Sequence, residues 1–577
     1  MFIRLSIFLV FAKLSISLSF AQSPLQNHPS EYLAMHAKDP VQWHLWNTET
    51  LIKAQQQNKL ILVSSGYFSC HWCHVTQKEL YQSPEIAQKM NQLFINIKID
   101  RELTPEIDRQ MIDFAKRIVG AAGWPQHVIY TPAGKPFAAF TYLPKDDFTN
   151  YLQNLENLWK TEQSKIEQLA SRQNSTKTTT QLNAARSITN LSAQITDSVK
   201  KHMDDFSGGI KGSHKFPNSP LLLSLLKQKN LPAGIKEWLK LTLEQMQSQH
   251  LFDHVYGGFY RYTVDPEWQT PHFEKMLYDN AQLLEVYLRA AMKWPESDFL
   301  RTAENTLNYL RKHLFDEKLQ LYLGSQSALD QFGQEGGDYL WTREALQKTL
   351  TKEEFEIVEI QWQLNQPAPY ELGFHPKPTT KYWKSIQSKL QAQNQLQPIP
   401  TDSKAIIAWN ALLLSALNVA TEISQSQVLP AGKLPNLSQS TQLTEQLANR
   451  LAEIILESNI PRALAWQNKQ VMSLATVTLE EVAYGLKALA KLPENITSPV
   501  HQQAIQQLLQ QAQNFSAKTG WRFTTTSPKY EWHIADNELP SPTAVLNCYQ
   551  AQSPALKTLP AGKEIWQVSS YLNKCHK

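Results

Sequence analysis

Cysteine is scarce in this chain: Cys70, Cys73, Cys548 and Cys575 are the only four in 577 residues. That excludes a disulfide-stapled scaffold, which would need many more crosslinks. An excess of one charge is missing too. The net charge is +4 and no basic run occurs, so there is no electrostatic case for nucleic acid. Beyond the first two dozen residues no segment reads as a bilayer span, so no membrane association is expected apart from the leader described below. What is present is hydrophobic content of 42% with 16 tryptophans, ample for buried cores and incompatible with wholesale disorder. The length exceeds one ordinary compact domain and predicts two.

The chain starts MFIRLSIFLVFAKLSISLSFAQS. Arg4 precedes an apolar run, and Ser19-Phe20-Ala21 supplies small residues where a signal peptidase cuts. This predicts a secretory signal over 1–21, cleaved after Ala21, and an exported protein, periplasmic or extracellular. Lys13 interrupts the run; an uncleaved anchor is the alternative. Export makes the cysteine count informative. One close pair and one distant pair predict a redox site and a structural Cys548–Cys575 bridge.

Residues 22–165 mix strand and helix signals. NKLILVSSGY (58–67) is a short β-rich apolar run. SPEIAQKMNQLF places Ser83 as N-cap and Pro84 at the first helical position. FINIKID (94–100) alternates like a strand, and HVIYTPAGKPFAAFTYLP reads as two strands joined by the turn Pro132-Ala133-Gly134-Lys135. The order strand, helix, strand, helix, strand, strand predicts an α/β thioredoxin-like domain. The polar stretch within 166–190 reads as a linker. Over 191–577 about ten segments carry apolar residues at i, i+3, i+4 and i+7 without a clean repeat, and helix pairs of this number can close into an all-α toroid. A second polar break, SQSQVLPAGKLPNLSQSTQ, reads as an exposed loop.

The run YFSCHWCHV (67–75) has several meanings by spacing alone. Cys70-His71-Trp72-Cys73-His74 matches c-type haem attachment, a zinc site, a plain structural disulfide and a thioredoxin-like dithiol. Context favours the last. The pair follows the strand 59–63, and a helix is expected from Cys73 onward. Cys70 then lies at a helix N-terminus, where N–H groups and the dipole stabilise a thiolate, and a protonated His71 would add a cation. Cys73, one turn further on, is suited to resolve a mixed disulfide. In GAAGWPQHVIY, Trp124-Pro125 immediately precedes a strand, the place of a cis-proline in thioredoxin-like folds. Haem lacks the small helical wrapping it needs, and a fourth zinc ligand is not evident. No cofactor and no metal are expected.

With DPVQWHLW, SCHWCHV, IKIDRELTPEID, GWP, TPAGKPF, SHKFP, GGFYRYTVDPEWQTPHFEKMLYDNAQLL and IIAWNALLL, the chain resembles the spermatogenesis-associated thioredoxin-domain family, and the resemblance covers most of the chain. The resemblance implies an N-terminal thioredoxin-like domain followed by an (α/α)6 barrel like those of sugar epimerases and glycosidases, with activity inferred from fold. The chain departs from that family where Ala328-Leu329-Asp330 and Asp402-Ser403-Lys404 each lack one acid. It departs from ordinary thioredoxins as well: the strand before the dithiol, 60–65, carries no acid to deprotonate the resolving thiol. That fits an oxidant, an isomerase or a specialised partner better than a general reductase.

In the helical region, TPHFEKMLYDNAQLL reads as one helix with Thr270 as N-cap and Pro271 at its first position. His272 and Asp279 then share a stripe with Met276 and Leu283, beside Glu274 and Tyr278. These carboxylates and the imidazole can line a polar pocket together with Asp330, Asp402, Lys404 and Trp409. Their ordinary alternative is capping, dipole and i,i+4 pairing, including Lys275 with Asp279. Tyr260, Trp268, Tyr339, Trp341 and Trp409 supply either stacking surfaces for a carbohydrate or toroid core. The expected activity is thiol–disulfide exchange with protein thiols and disulfides: Cys70 as nucleophile, Cys73 as resolving thiol, Pro125 as docking proline, His71 and Trp124 beside them. Carbohydrate binding or turnover by the barrel is the alternative, and a non-catalytic scaffold is a third reading.

Overall fold

The computed structural model describes residues 23–175, 190–394, 399–426, 439–517, 520–526, 535–549 and 564–573. The expected signal segment, most of the expected linker, most of the second polar break and Cys575 lie outside them. The expected Cys548–Cys575 bridge therefore falls outside the described residues.

The N-terminal unit is built on one five-stranded sheet: β1 (Trp43–His44), β2 (Leu60–Gly66), β3 (Phe94–Asp100), β4 (Gln126–Tyr130) and β5 (Pro136–Phe140). The order is β1-β3-β2-β4-β5, with the first three parallel and β4 and β5 antiparallel. Every residue of β2 is buried, which explains its unbroken apolar run. Leu60 and Leu62 face a layer containing Ile86, Met90 and Phe148. Ile61 and Val63 face the opposite layer, with Met111 and Phe114. Helices α1 (Glu31–Met35), α2 (Thr48–Gln56), α3 (His71–Thr76), α4 (Pro84–Leu93), α5 (Pro105–Val119) and α6 (Lys145–Ser175) supply those layers. As the sequence predicts, α4 has Ser83 as N-cap and Pro84 at its start, where the missing N–H is not needed. α6 runs to Ser175, past the expected boundary at 165, so the first part of the expected linker is helical.

The second unit is a helical ring. It comprises α7 (Leu191–His202), α8 (Ser219–Leu226), α9 (Ala233–Ser248), α10 (Leu277–Lys293), α11 (Phe299–Tyr309), α12 (Arg343–Thr349), α13 (Lys352–Gln361), α14 (Trp383–Asn394), α15 (Ile407–Gln425), α16 (Ser440–Leu456), α17 (Leu479–Leu489), α18 (Pro499–Asn514), α19 (Pro542–Leu546) and a final 3-10 turn, Ile565–Leu572. The inner order α8, α10, α15, α17, α19 and the 3-10 turn closes back on α8. α11 packs outside α10, α16 outside α15, and α18 outside α17. This is the all-α toroid that the helical periodicity predicts and the (α/α)6 barrel that the family resemblance implies. α15 is apolar all round and buried from Ile407 to Thr421. By length and composition it is the one helix among the described residues that could cross a membrane, but 89% of its apolar window is enclosed. The reading that no later segment has that character is corrected here: such a helix exists and forms the toroid wall, as helices apolar on every side do.

A second correction concerns 270–276. The expected N-cap at Thr270 is not there. Pro271–His272 pairs as a strand with Tyr262–Thr263, and Lys275–Met276 pairs with Ser325–Gln326. α10 begins only at Leu277, with Met276 as N-cap. Local helix periodicity loses here to two tertiary strand pairings and a buried ion pair, Lys275 Nζ to Asp253 Oδ2 at 2.6 Å, which replaces the anticipated Lys275–Asp279 pair. Likewise 404–406 is a short strand rather than the first turn of α15.

Candidate functional site

The β2–α3 junction carries the cysteines. Cys70 is the N-cap of α3, and the Cys73 N–H donates to Cys70 Sγ at 3.2 Å. Cys70 and Cys73 are joined in a disulfide. α3 starts two residues earlier than expected, so Cys70 sits directly on the exposed N–H groups of its first turn. The Trp124–Pro125 peptide is cis and leads into β4, as its sequence context predicts.

The toroid covers this face. Cys70 is 3% and Cys73 1% exposed. The Ala328 N–H donates to the Ser69 carbonyl at 3.3 Å, and the Ser69 hydroxyl to Met276 Sδ at 3.2 Å. Tyr67 donates to Glu274 Oε2 at 2.6 Å, and Arg261 donates in turn to Tyr67. Glu335 bridges two imidazoles, with Oε1 2.6 Å from His272 Nδ1 and Oε2 3.5 Å from His71 Nδ1. His71 thus faces Glu335 and His272, and its surroundings disfavour the protonated form. Burial lowers its pKa, outweighing Glu335, and His272 opposes its protonation further. His272 moves the other way: burial would lower its pKa, but the Glu335 hydrogen bond and charge raise it.

Deeper in the interface lies an ion cluster that sequence reasoning placed in a sugar pocket. Lys404 Nζ, fully buried, is 2.5 Å from Asp402, 3.0 Å from Asp100 and 3.2 Å from Glu102. It ties the end of β3 to the strand preceding α15. Burial raises the Glu102 pKa to about 8 against the pull of Lys404. Arg462 donates to the Glu102 carbonyl and pairs with Glu480 and Glu481.

Beside this cluster is a cavity of about 440 Å³ between the two units. Arg101 and Trp124 come from the sheet domain; Arg261, Tyr278, Asp279, Trp409 and Glu538 come from the toroid. The Arg101 guanidinium lies 3.8 Å from the Trp124 ring centre. Asp279 Oδ2, Trp409 Nε1 and Arg101 Nη1 are buried with no hydrogen-bond partner among the described residues. Burial pushes the Asp279 carboxyl well above its usual range, although Arg261 opposes it. Glu538, which burial would also raise, is held at about 2 by Arg101 and Arg261.

The expected barrel residues thus separate. Asp279 and Trp409 line the cavity. Glu274 anchors Tyr67, to which the cavity-lining Arg261 also donates, and His272 turns to Glu335. Asp330 accepts from the Phe332 and Gln334 N–H groups in a turn. Asp402 and Lys404 form the interdomain cluster. Tyr260, Trp268, Tyr339 and Trp341 are core, at 0–4% exposed. Sequence reasoning missed Tyr67, Arg101, Arg261 and Glu538 as site residues. Arg101 lay inside the quoted IKIDRELTPEID, and nothing local marked its partners.

The fold and the site define a thioredoxin-like domain docked by its dithiol face onto an (α/α)6 toroid. Residues 22–178 match the thioredoxin DsbH family model described as "Protein of unknown function, DUF255". The chain is similar to spermatogenesis-associated protein 20 of Rattus norvegicus, with 32% identity over 354 residues. That match takes in 56% of this chain and 44% of the relative, so the chain spans less than half the length of the curated relative it matches. Among solved structures, a DsbH oxidoreductase is 22% identical over 20% of this chain and 83% of its own, with a TM-score of 0.17. A D-mannose isomerase is 13% identical over 66% of this chain and 96% of its own, with a TM-score of 0.38.

Proposed function

We propose that the chain is an exported thiol–disulfide oxidoreductase acting on protein thiols and disulfides through Cys70 and Cys73. The observation that carries this is the Cys70 sulfur at the N-cap of α3, bonded to Cys73 one turn away, with a cis-proline leading into β4, the strand paired with β2. An attacking substrate thiolate would form a mixed disulfide at Cys70 and expel Cys73; the reverse sequence oxidises the dithiol. Because both sulfurs are nearly fully buried and toroid residues contact Ser69 and His71 beside them, large substrates require the two units to separate, whereas small thiols need less opening. An insulin-type disulfide-reduction assay tests the reading: the native chain turns over, and Cys70→Ser is inactive. Equal activity of the two would refute it. Export is tested by the N-terminus of the protein secreted from cells, with cleavage after Ala21 expected.

A second reading, carbohydrate binding in the interdomain cavity, is supported by a specific observation. Three buried polar atoms without a hydrogen-bond partner among the described residues, Asp279 Oδ2, Trp409 Nε1 and Arg101 Nη1, sit beside the rings of Tyr278, Trp409 and Trp124, a combination suited to a sugar's hydroxyls and apolar face. A glycan array probed with the native chain and with Asp279→Asn decides it. Binding lost in the variant supports this reading, and the absence of any bound glycan removes it.

A further inference from the structure

The strand before the dithiol has no acid, yet a buried polar group lies near the inner sulfur. Gly66 ends β2. The point where a Cβ on Gly66 would sit is 2.2 Å from the Tyr32 hydroxyl oxygen and 2.7 Å from Cys73 Sγ. Both atoms press on the same side of this residue, and only glycine leaves room for them. Tyr32 is fully buried, and its hydroxyl has no hydrogen-bond partner among the described residues. Its position is fixed. The Ser30 hydroxyl caps α1 and donates to Asp100 Oδ2 at 2.6 Å, holding the helix to the end of β3. The Tyr32 ring packs edge-on against His36 at 5.2 Å and lies 5.1 Å from the Lys98 ammonium. A hydroxyl with no partner among the described residues is therefore held near the sulfur that must leave as a thiolate.

We propose that Tyr32 is the hydrogen-bond donor to Cys73 when the disulfide opens, taking the place of the missing acid. This rests on the oxidoreductase reading. A substrate thiolate attacks Cys70 Sγ and forms the mixed disulfide. The Cys70–Cys73 bond breaks, and its electron pair passes to Cys73 Sγ. The Tyr32 O–H donates to that new thiolate, and no proton is transferred. In the return step the Cys73 thiolate attacks Cys70 Sγ, restores the disulfide and expels the substrate thiolate. Tyr32 stays protonated throughout, because burial and then the neighbouring Tyr81, Asp100, Asp39 and Asp108 raise its pKa well above the usual phenol value. It works as a donor only. A hydrogen bond to a buried anion stabilises it considerably, so the Cys73 thiol ionises more readily with Tyr32 than without it.

The test uses the full chain with Cys70→Ser, leaving Cys73 free, and follows the ultraviolet absorbance of the thiolate against pH. Adding Tyr32→Phe keeps the ring and removes the donor. We expect the Cys73 inflection to rise by about one to two pH units, a tenfold to hundredfold loss of thiolate at a fixed pH below both inflections. Lys98, whose pKa burial lowers to about 7, lies against the Tyr32 ring, so the Cys73 inflection is read in a Lys98→Met background as well. An unchanged inflection, with circular dichroism and thermal midpoint also unchanged, overturns the proposal. Separately, Tyr32→Phe in the otherwise native chain is equilibrated with glutathione buffers. A Cys70–Cys73 pair that still exchanges while the Cys73 inflection fails to move sinks the role of Tyr32 alone. A pair that does not exchange even in the native chain sinks the oxidoreductase reading.

Discussion

Replacing Lys404 with methionine removes the one cation among three buried carboxyl groups contributed by both units. Lys404 has no exposed side-chain surface, and Asp402, Asp100 and Glu102 lie within 3.2 Å of its ammonium. Methionine roughly matches the aliphatic stem, so the lost packing is small. The dominant cost is stranding carboxylates in a low-dielectric interior, about 3–5 kcal/mol for a buried ion pair broken from one side. The acids can escape part of that cost by protonating. The deficit should therefore be largest near neutral pH and shrink as pH falls toward 5. Denaturant unfolding followed by tryptophan fluorescence measures it, with the two units resolved where they unfold separately. Adding Asp402→Asn and Glu102→Gln should recover most of the loss, because neutralising a whole buried cluster is far milder than breaking it. A Lys404→Met protein within about 1 kcal/mol of native at pH 7 would refute the account.

In the Cys73→Ser variant, Cys70 should alkylate with an inflection below the free-thiol value of about 8.5; an inflection at or above it would show that the N-terminus of α3 does not activate this sulfur. Glu102, whose carboxyl burial raises from 4.5 to about 8, holds its proton in the folded chain across a range where the unfolded chain has released it. Its contribution is complete below about 4.5 and is lost as pH rises through about 8. Glu102→Gln should accordingly flatten the fall in stability between those limits, and a slope identical to native would contradict the assignment. Gly66→Ala should destabilise by about 1–3 kcal/mol through overpacking against Tyr32 and Cys73; unaltered thermal unfolding would show that the contact yields freely. Glu335→Gln should lower the His272 pKa, measured by NMR. The stabilisation that the native pair gives is present below the unfolded value of 6.5 and lost as pH rises through the higher folded one.

The sheet domain was legible because its signals are local. β2 and β3 are short runs buried on both faces, Ser83-Pro84 announces α4, and the Pro132–Lys135 turn joins β4 to β5. The dithiol was legible for the same reason, lying between a strand and a helix whose cues are adjacent in sequence. The toroid was legible as a class, since its helices carry an apolar stripe. The site residues within it were not. Residues 270–276 have helical spacing, but their backbone pairs with partners supplied from Tyr262–Thr263 and Ser325–Gln326. Asp402 and Lys404 looked like pocket chemistry because nothing nearby revealed that Asp100 and Glu102, some three hundred residues earlier, would meet them. His71 looked like a cation because the covering of the dithiol by the toroid is a property of docking. Tyr32 lies far from the CHWC run in sequence, and only the close approach at Gly66 brings the two together.

Both sulfurs are buried on a face that the toroid contacts through Ser69 and His71, so on the oxidoreductase reading the disulfide serves as a gauge of opening between the two units. A hydrophilic reductant too large to enter the closed interface reacts only in the fraction of time the units stand apart. When reclosure outpaces reaction, the observed reduction rate is the rate for an open disulfide multiplied by the opening equilibrium constant, the same relation that governs protected amides in hydrogen exchange. Every additional 1.4 kcal/mol holding the interface shut slows reduction about tenfold. The chain thus carries an internal clock for its own interdomain motion, read with reductant alone and without an attached label. Ligands that bridge the cavity would slow that clock, and changes that loosen the Lys404 cluster would speed it.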